Sequence, residues 1–341
     1  MAVRYLDDGR GNPAHTADPV VAEIFAQMRR EFGAVSEPFV LQAPAPPILA
    51  AAWSSLREAV LSGSVPRRVK ETVAAAISRL NRCRYCVDAH TSLLHATGGR
   101  AAAWALRGRG PAAISDPALR AAAEWAAATR TPGAAILASP PFGPAEAPEM
   151  IATAACFHYI NRLVTLFLGE TPFPVSSRRL SAPIVLLASR FFAPHVRRRL
   201  APGESLGWLA AAPLPADLGW ARPRPEIAAP FASLAAAVEA EAGEALGGAL
   251  EPARARIAAW RGEDPPLGGS WIEKAASGVP GRDLPAARLA LLTALAPYRV
   301  GPAEVAAFRA ARPGDRALVA VAAWASFTAA RRITAWLDPS A

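Results

Sequence analysis

Lysine is almost missing from this chain: of 37 basic residues only Lys70 and Lys274 are not arginine. Cysteine is nearly as scarce, with three in 341 residues. That excludes a disulfide-stapled secreted scaffold, and it makes a Cys-x2-Cys pair better read as chemistry than as framework. Met1–Arg10 is polar and charged, without the apolar stretch of a secretory leader. No apolar run reaches the ~18–20 residues of a membrane span. Ala317–Ala330 comes nearest and contains Ser326 and Thr328. A cytoplasmic protein with no membrane role is the expectation. Alternation of β-branched residues is also thin, while Ala, Leu and Arg dominate, so the expected fold class is all-α.

What is present is apolar mass and positive charge. A hydrophobic share of 52% supports real cores, and the length suits two domains. A net charge of +9 raises the question of nucleic acid. The arginines are spread along the chain, with runs only at Arg178-Arg179 and Arg197-Arg198-Arg199 and no interleaved aromatics. Solvated helix faces explain them better than a nucleic-acid partner does.

The chemistry-bearing residues concentrate in one stretch, ETVAAAISRLNRCRYCVDAH, from Glu71 to His90. Cys83, Cys86 and His90 stand at i, i+3 and i+7, so on one helix their side chains share a face. Ahead of them, Ser64 offers an N-cap with Pro66 just inside, and Val69, Val73, Ala76, Ile77 and Leu80 form a helical apolar stripe. On one unbroken helix Glu71 and Cys83 would stand ~18 Å apart, too far for chemistry. The helix must therefore turn, and Asn81 is the expected N-cap of a second, antiparallel helix that starts near Arg82 and stops at Gly98-Gly99. Glu71 then returns beside His90.

That arrangement suggests thiol chemistry. Free N–H groups at the helix start and the charges of Arg79, Arg82 and Arg84 favour thiolate. His90, one turn after Cys86, serves as proton acceptor with Glu71 to orient it, and the two cysteines are close enough in sequence to cycle through a disulfide. Zinc is the competing use of the same donors, but no second Cys/His pair supports it. Two buried core cysteines are the other alternative, against which the polar neighbours Asn81, Arg82, Arg84 and Asp88 weigh.

The set Glu71, Cys83, Tyr85, Cys86 and His90 resembles the signature of the AhpD-like alkylhydroperoxidases of the carboxymuconolactone decarboxylase superfamily. One departure is Tyr85, where AhpD itself often carries a histidine. The resemblance implies an all-helical fold, Cys86 as the peroxidatic thiol, Cys83 as the resolving thiol, and Glu71 with His90 as a proton relay. It further implies an organic hydroperoxide substrate, an external lipoyl or thioredoxin-like dithiol as reductant, and neither metal nor flavin cofactor. A general protein thiol-disulfide oxidoreductase and a non-catalytic helical scaffold remain open beside it, as does homo-oligomerisation.

Outside the motif, residues 18–34 read as an amphipathic helix ending near Gly33, Ile48–Leu61 as a helix with Trp53 in its core, and Glu149–Leu168 as the most apolar element of the first half. Cys156 reads as a core thiol and His158 as a packed, hydrogen-bonded residue. Ser176–Leu200 is expected to be one helix of a Pro-rich connector. Ala290–Phe308 and Ala323–Ile333 are similar to the redox stretch and to the helix near Cys156. Ungapped alignment of Tyr298 on Tyr85 puts Leu284, Ala296, Arg299 and Ala303 where Glu71, Cys83, Cys86 and His90 stand. The domain reading is thus a redox domain at 1–175, a connector at 176–225, and a degenerate AhpD-like helical repeat at 226–341 that has lost every chemical group.

Overall fold

The computed structural model describes residues 3–6, 18–172 and 178–338, the side chains of 178–183 excepted. The start of the connector helix at Ser176 and most of Met1–Arg10 fall outside the described residues. Sixteen α-helices are described, and the nearest approach to a strand is a single bridge between Ser62 and Leu200. The fold is all-α.

The first half runs α1 (Pro19–Phe32), α2 (Glu37–Val40), α3 (Pro46–Leu56), α4 (Arg67–Leu80), α5 (Arg84–Ala96), α6 (Arg100–Arg107), α7 (Pro117–Ala128), α8 (Ala135–Ala138) and α9 (Ala147–Phe167). Then follow α10 (Arg178–Val196), α11 (Pro225–Leu246), α12 (Leu250–Ala259), α13 (Ser270–Ala275), α14 (Leu284–Leu295), α15 (Pro302–Ala311) and α16 (Asp315–Thr334).

Local chemistry sets many of the ends. The Asp18 carboxylate accepts from Val20 N at 2.9 Å and Val21 N at 3.2 Å, with Pro19 at the first helical position. Gly33 closes α1 at φ 91°, a conformation open to glycine without strain. Asp116 and Pro117 repeat the start motif on α7. The helix of α3 continues as one π turn, Arg57–Leu61, so the expected Ile48–Leu61 helix is present with a widened end.

Ser64 does not cap α4. Its N–H and hydroxyl bond instead to Glu149 on α9, at 2.8 and 2.7 Å, and Val65 N joins them at 3.0 Å. Lys70, fully buried, meets the same carboxylate at 2.6 Å, and Arg224 reaches it from the connector at 3.0 Å. Burial alone would raise the Glu149 pKa, but Lys70 and the Ser64 donors pull it down to about 2. This buried cluster pins the start of α4 against the start of α9.

At the centre lies α9, almost wholly buried, packed between α4 and α16. It is the one helix among the described residues long and apolar enough to cross a membrane, which corrects the expectation that Ala317–Ala330 comes nearest. Here its apolar surface faces protein. Trp53, Phe25, Phe157, Phe231, Phe308 and Trp324 belong to one apolar cluster that runs through both halves of the chain.

Candidate functional site

The turn between α4 and α5 places the cysteines, and it differs from the expected one. Cys83 N bonds to Ser78 O at 2.9 Å and Arg82 N to Arg79 O at 3.1 Å, the paired closure of a Schellman motif. Asn81 is the C-cap of α4, not the N-cap of α5. Arg82 takes the left-handed position at φ 58°, and Cys83 is the N-cap of α5. Cys83 therefore precedes the helix, and Cys86 is its third residue. The Asn81 side chain is drawn inward, its Nδ2 lying 3.1 Å from His158 Nδ1 and 3.0 Å from Asn161 Oδ1.

A non-glycine residue at a left-handed position costs about 1–2 kcal/mol. The Arg82–Asp264 ion pair, at 2.7 Å, is exposed on both sides and offsets little of that cost. Arg82→Gly is therefore expected to stabilise the protein by about 1 kcal/mol, read as a rise in Tm. A fall in Tm would show that the Asp264 contact outweighs the backbone cost.

Turning the chain back brings Glu71 to His90, as the spacing required. Glu71 Oε2 lies 2.8 Å from His90 Nδ1, and Arg67, one turn earlier, donates from Nε to Glu71 Oε1 at 2.6 Å. Burial pushes the Glu71 carboxyl up, but Arg67 and His90 together hold it below the usual carboxylate range. An ionised Glu71 makes Nδ1 the protonated nitrogen of His90 and leaves Nε2 with its lone pair. The imidazole sits edge-on to Phe157, with ring centroids 4.4 Å apart, which fixes its plane.

Cys86 is not the preformed thiolate that the arginines and the helix start suggested. Both thiols are free and buried, Cys83 at 3% and Cys86 at 2% exposure. Burial pushes the Cys86 thiol well up, and the neighbouring Cys83 thiol adds to the rise. The arginines are engaged elsewhere: Arg79 with Leu106 O at 3.2 Å, Arg82 with Asp264, and Arg84 with Glu170 at 3.2 Å. Desolvation outweighs a dipole worth ~0.3–1 kcal/mol.

The two sulfurs lie on different surfaces. Cys86 and His90 line a cavity of about 290 Å³ whose walls are mostly apolar, among them Phe39, Leu56, Phe157 and Ile160. Cys83 lines a separate polar cleft with Arg4, Arg84, Thr165 and Glu170. Tyr85 borders both, and its hydroxyl donates a short hydrogen bond to Glu37 on the cavity side. Burial and the Glu37 charge keep that phenol protonated. Among the described residues no group of three or more His, Cys, Asp or Glu side chains is placed to hold a metal ion.

Arg67, Glu37 and Asn161 were not singled out from the sequence. Arg67 had a legible signal, its i, i+4 spacing to Glu71. Glu37 and Asn161 are distant in the chain and had none. Cys156, 4% exposed and pushed up by burial, is the expected core thiol, and His158 is packed and hydrogen-bonded.

The profile of the carboxymuconolactone decarboxylase family matches residues 47–128, and Alkyl hydroperoxide reductase Rv2159c of Mycobacterium tuberculosis is 42% identical over 328 residues. This chain belongs to the carboxymuconolactone decarboxylase family, among its AhpD-like members. Within this family member, the matched segment holds Glu71, both motif cysteines and His90, but ends before α9 and Asn161. The similarity to the mycobacterial protein covers 95% of this chain and 93% of that one, so it extends through the C-terminal half. No solved structure matches this family member.

Proposed function

We propose that the chain is a thiol-dependent reductase of organic hydroperoxides. His90 Nε2 takes the proton of Cys86, whose sulfur attacks the terminal oxygen of ROOH. The O–O bond breaks, ROH leaves with the proton that His90 returns, and Cys86 becomes a sulfenic acid. Cys83 then attacks that sulfur, water is lost, and a Cys83–Cys86 disulfide forms. An external dithiol reduces it and is itself oxidised, which closes the cycle in a compartment such as the cytoplasm where dithiols are kept reduced.

The observation that carries this reading is the cavity shared by Cys86 and His90, with Glu71 locked behind the imidazole at 2.8 Å. A thiol raised by burial needs such a base, since it is not ionised at rest. The polar cleft at Cys83 suits a slender dithiol arm of the lipoyl kind better than the broad surface of a thioredoxin-like protein. A general protein thiol-disulfide oxidoreductase is less well supported, because a protein disulfide has to reach a sulfur and both are buried. The name of the mycobacterial relative, an alkyl hydroperoxide reductase, is in keeping with the proposal.

Peroxide consumption by the purified protein with dihydrolipoamide tests it. Burying the organic part of cumene hydroperoxide against the apolar wall is expected to raise kcat/KM over hydrogen peroxide by roughly ten- to a hundredfold. Equal turnover of the two would remove the substrate role from the cavity, and absence of turnover with any dithiol would defeat the proposal.

A further inference from the structure

α10 carries large apolar side chains on both of its faces. Val185, Ser189, Phe192 and Val196 recur at helical spacing and turn inward. Phe192, with Ala188, lines the cavity of Cys86 and His90, and Val196 closes on Leu93 and Ala96 of α5 in a small apolar cluster apart from the main core. Leu187, Phe191 and Leu186 turn outward, exposed by 68%, 56% and 39%. Phe191 stands one turn after Leu187, and the exposed Arg190 one turn after Leu186 and Leu187. No other helix among the described residues exposes more than one large apolar side chain. Single exposed apolar residues need no explanation, but three on one face mark a contact surface.

The charge around this face has one sign. Between Thr171 and Gly203 the sequence holds no aspartate or glutamate, and Arg190 is followed, just past the helix end, by Arg197, Arg198 and Arg199, all exposed. Among the described residues none of these four arginines meets a carboxylate; Arg197 donates to Ala96 O at 3.3 Å. The apolar run Ile184–Val196 is too short to cross a bilayer, about 20 Å against a hydrocarbon core of ~30 Å. An apolar helix of that length is ordinarily a core helix or an interfacial one. The open outer face excludes the first. A second copy of the chain fits this face poorly, since a two-fold contact sets the patch against itself and brings arginine onto arginine.

We propose that the outer face of α10 docks on an anionic lipid surface, with the helix axis in the plane of the interface. Leu187, Phe191 and Leu186 enter the boundary between headgroups and acyl chains, and Arg190, Arg197, Arg198 and Arg199 meet the lipid phosphates. Arginine suits that place, since its stem lies along apolar surface while the guanidinium reaches water and phosphate. The expectation of no membrane role rested on the lack of a spanning run, and an interfacial helix needs none. Docked in this way, the cavity of Cys86 lies one helix diameter, ~10 Å, from the lipid. That placement offers the apolar cavity to hydroperoxides carried on acyl chains. This last consequence rests on the proposed function; the docking does not.

The test is flotation of the full-length protein with vesicles of phosphatidylcholine, either alone or mixed in equal parts with phosphatidylglycerol. The protein is expected to float with the mixed vesicles, to leave them in about 0.5 M NaCl, and to ignore the neutral ones. Arg197→Gln, Arg198→Gln and Arg199→Gln together should weaken binding roughly a hundredfold, about fivefold for each charge. Leu187→Ser with Phe191→Ser should weaken it roughly tenfold or more, at an unchanged Tm because both side chains stand in solvent. If that pair of changes lowers the Tm, Arg190→Glu takes its place and is expected to weaken binding more than tenfold, since it reverses a charge. No binding to either vesicle, equal binding to both, or variants that float like the parent would overturn the proposal. So would a parent that is dimeric by light scattering and that Leu187→Ser with Phe191→Ser turns into a monomer, which would make the face a contact between copies. Flotation is read without peroxide, so a protein that floats but reduces no hydroperoxide sinks the proposed function alone, and one that reduces hydroperoxides but does not float sinks the docking alone.

Discussion

Cys83→Ser protein is expected to react once with an organic hydroperoxide and then stop, leaving on Cys86 a sulfenic acid that dimedone traps, whereas Cys86→Ser gives no such burst. Two effects compete for the attacking role. The helix dipole favours the cysteine nearer the free N–H groups, but it is worth only ~0.3–1 kcal/mol at an exposed site. A positioned general base contributes ~10²–10⁴-fold. Cys86 lies one turn before His90 and shares its cavity, while Cys83 caps the helix and borders the other cleft. The base should decide the matter. Adding His90→Ala to the Cys83→Ser protein is expected to slow the burst by ~10²–10⁴-fold. A dimedone adduct in Cys86→Ser, with none in Cys83→Ser, would reverse the roles and remove His90 from the relay.

Deleting residues 176–341 is expected to yield a protein that self-associates or aggregates. We propose that 226–341 is a degenerate repeat of the redox domain at 1–175, with 176–225 as connector, and that it covers the first domain where a partner subunit otherwise would. The helices correspond in order: α14, a short turn and α15 follow the pattern of α4, its turn and α5, and α16 matches α9 in length, 20 residues against 21. α9 and α16 pack against each other, with Tyr159 edge-on to Phe327 at 6.0 Å. Polar ties cross the same boundary. Arg162 donates to Ala294 O at 2.7 Å and Trp336 to Thr129 O at 2.8 Å. Each large apolar side chain uncovered on α9 and α3 forfeits ~1.5–3 kcal/mol, and buried Arg162 loses an acceptor. Light scattering of the shortened chain checks this; a monomer as heat-stable as the parent would refute it.

Much of the site was legible because helical spacing is local. The distance from Glu71 to Cys83 demanded a turn, and the turn brings Glu71 back to His90. The rest depended on contacts that no local rule contains. Asn81 looked like a helix start, but its amide is committed to His158 and Asn161, about eighty residues on, and the cap passes to Cys83. Ser64 looked like a cap and is drawn off by Glu149. The thiolate expectation failed at Cys86 because charge near a residue in sequence is not charge near it in space: Arg79, Arg82 and Arg84 each turn to another partner, and burial prevails. Asn161 carried no signal, since an asparagine inside an apolar helix shows its purpose only when the residues facing it are known.

The buried Lys70 has a practical corollary for handling the protein. Its ammonium is fully enclosed and clasped by Glu149, so of the two lysine side chains only Lys274 stands in solvent. Amine-directed dyes, biotin esters and activated resins therefore meet a single side-chain target on α13, far along the chain from the motif cysteines. Attachment through it yields a population of uniform orientation, with both sulfurs still in place to be assayed.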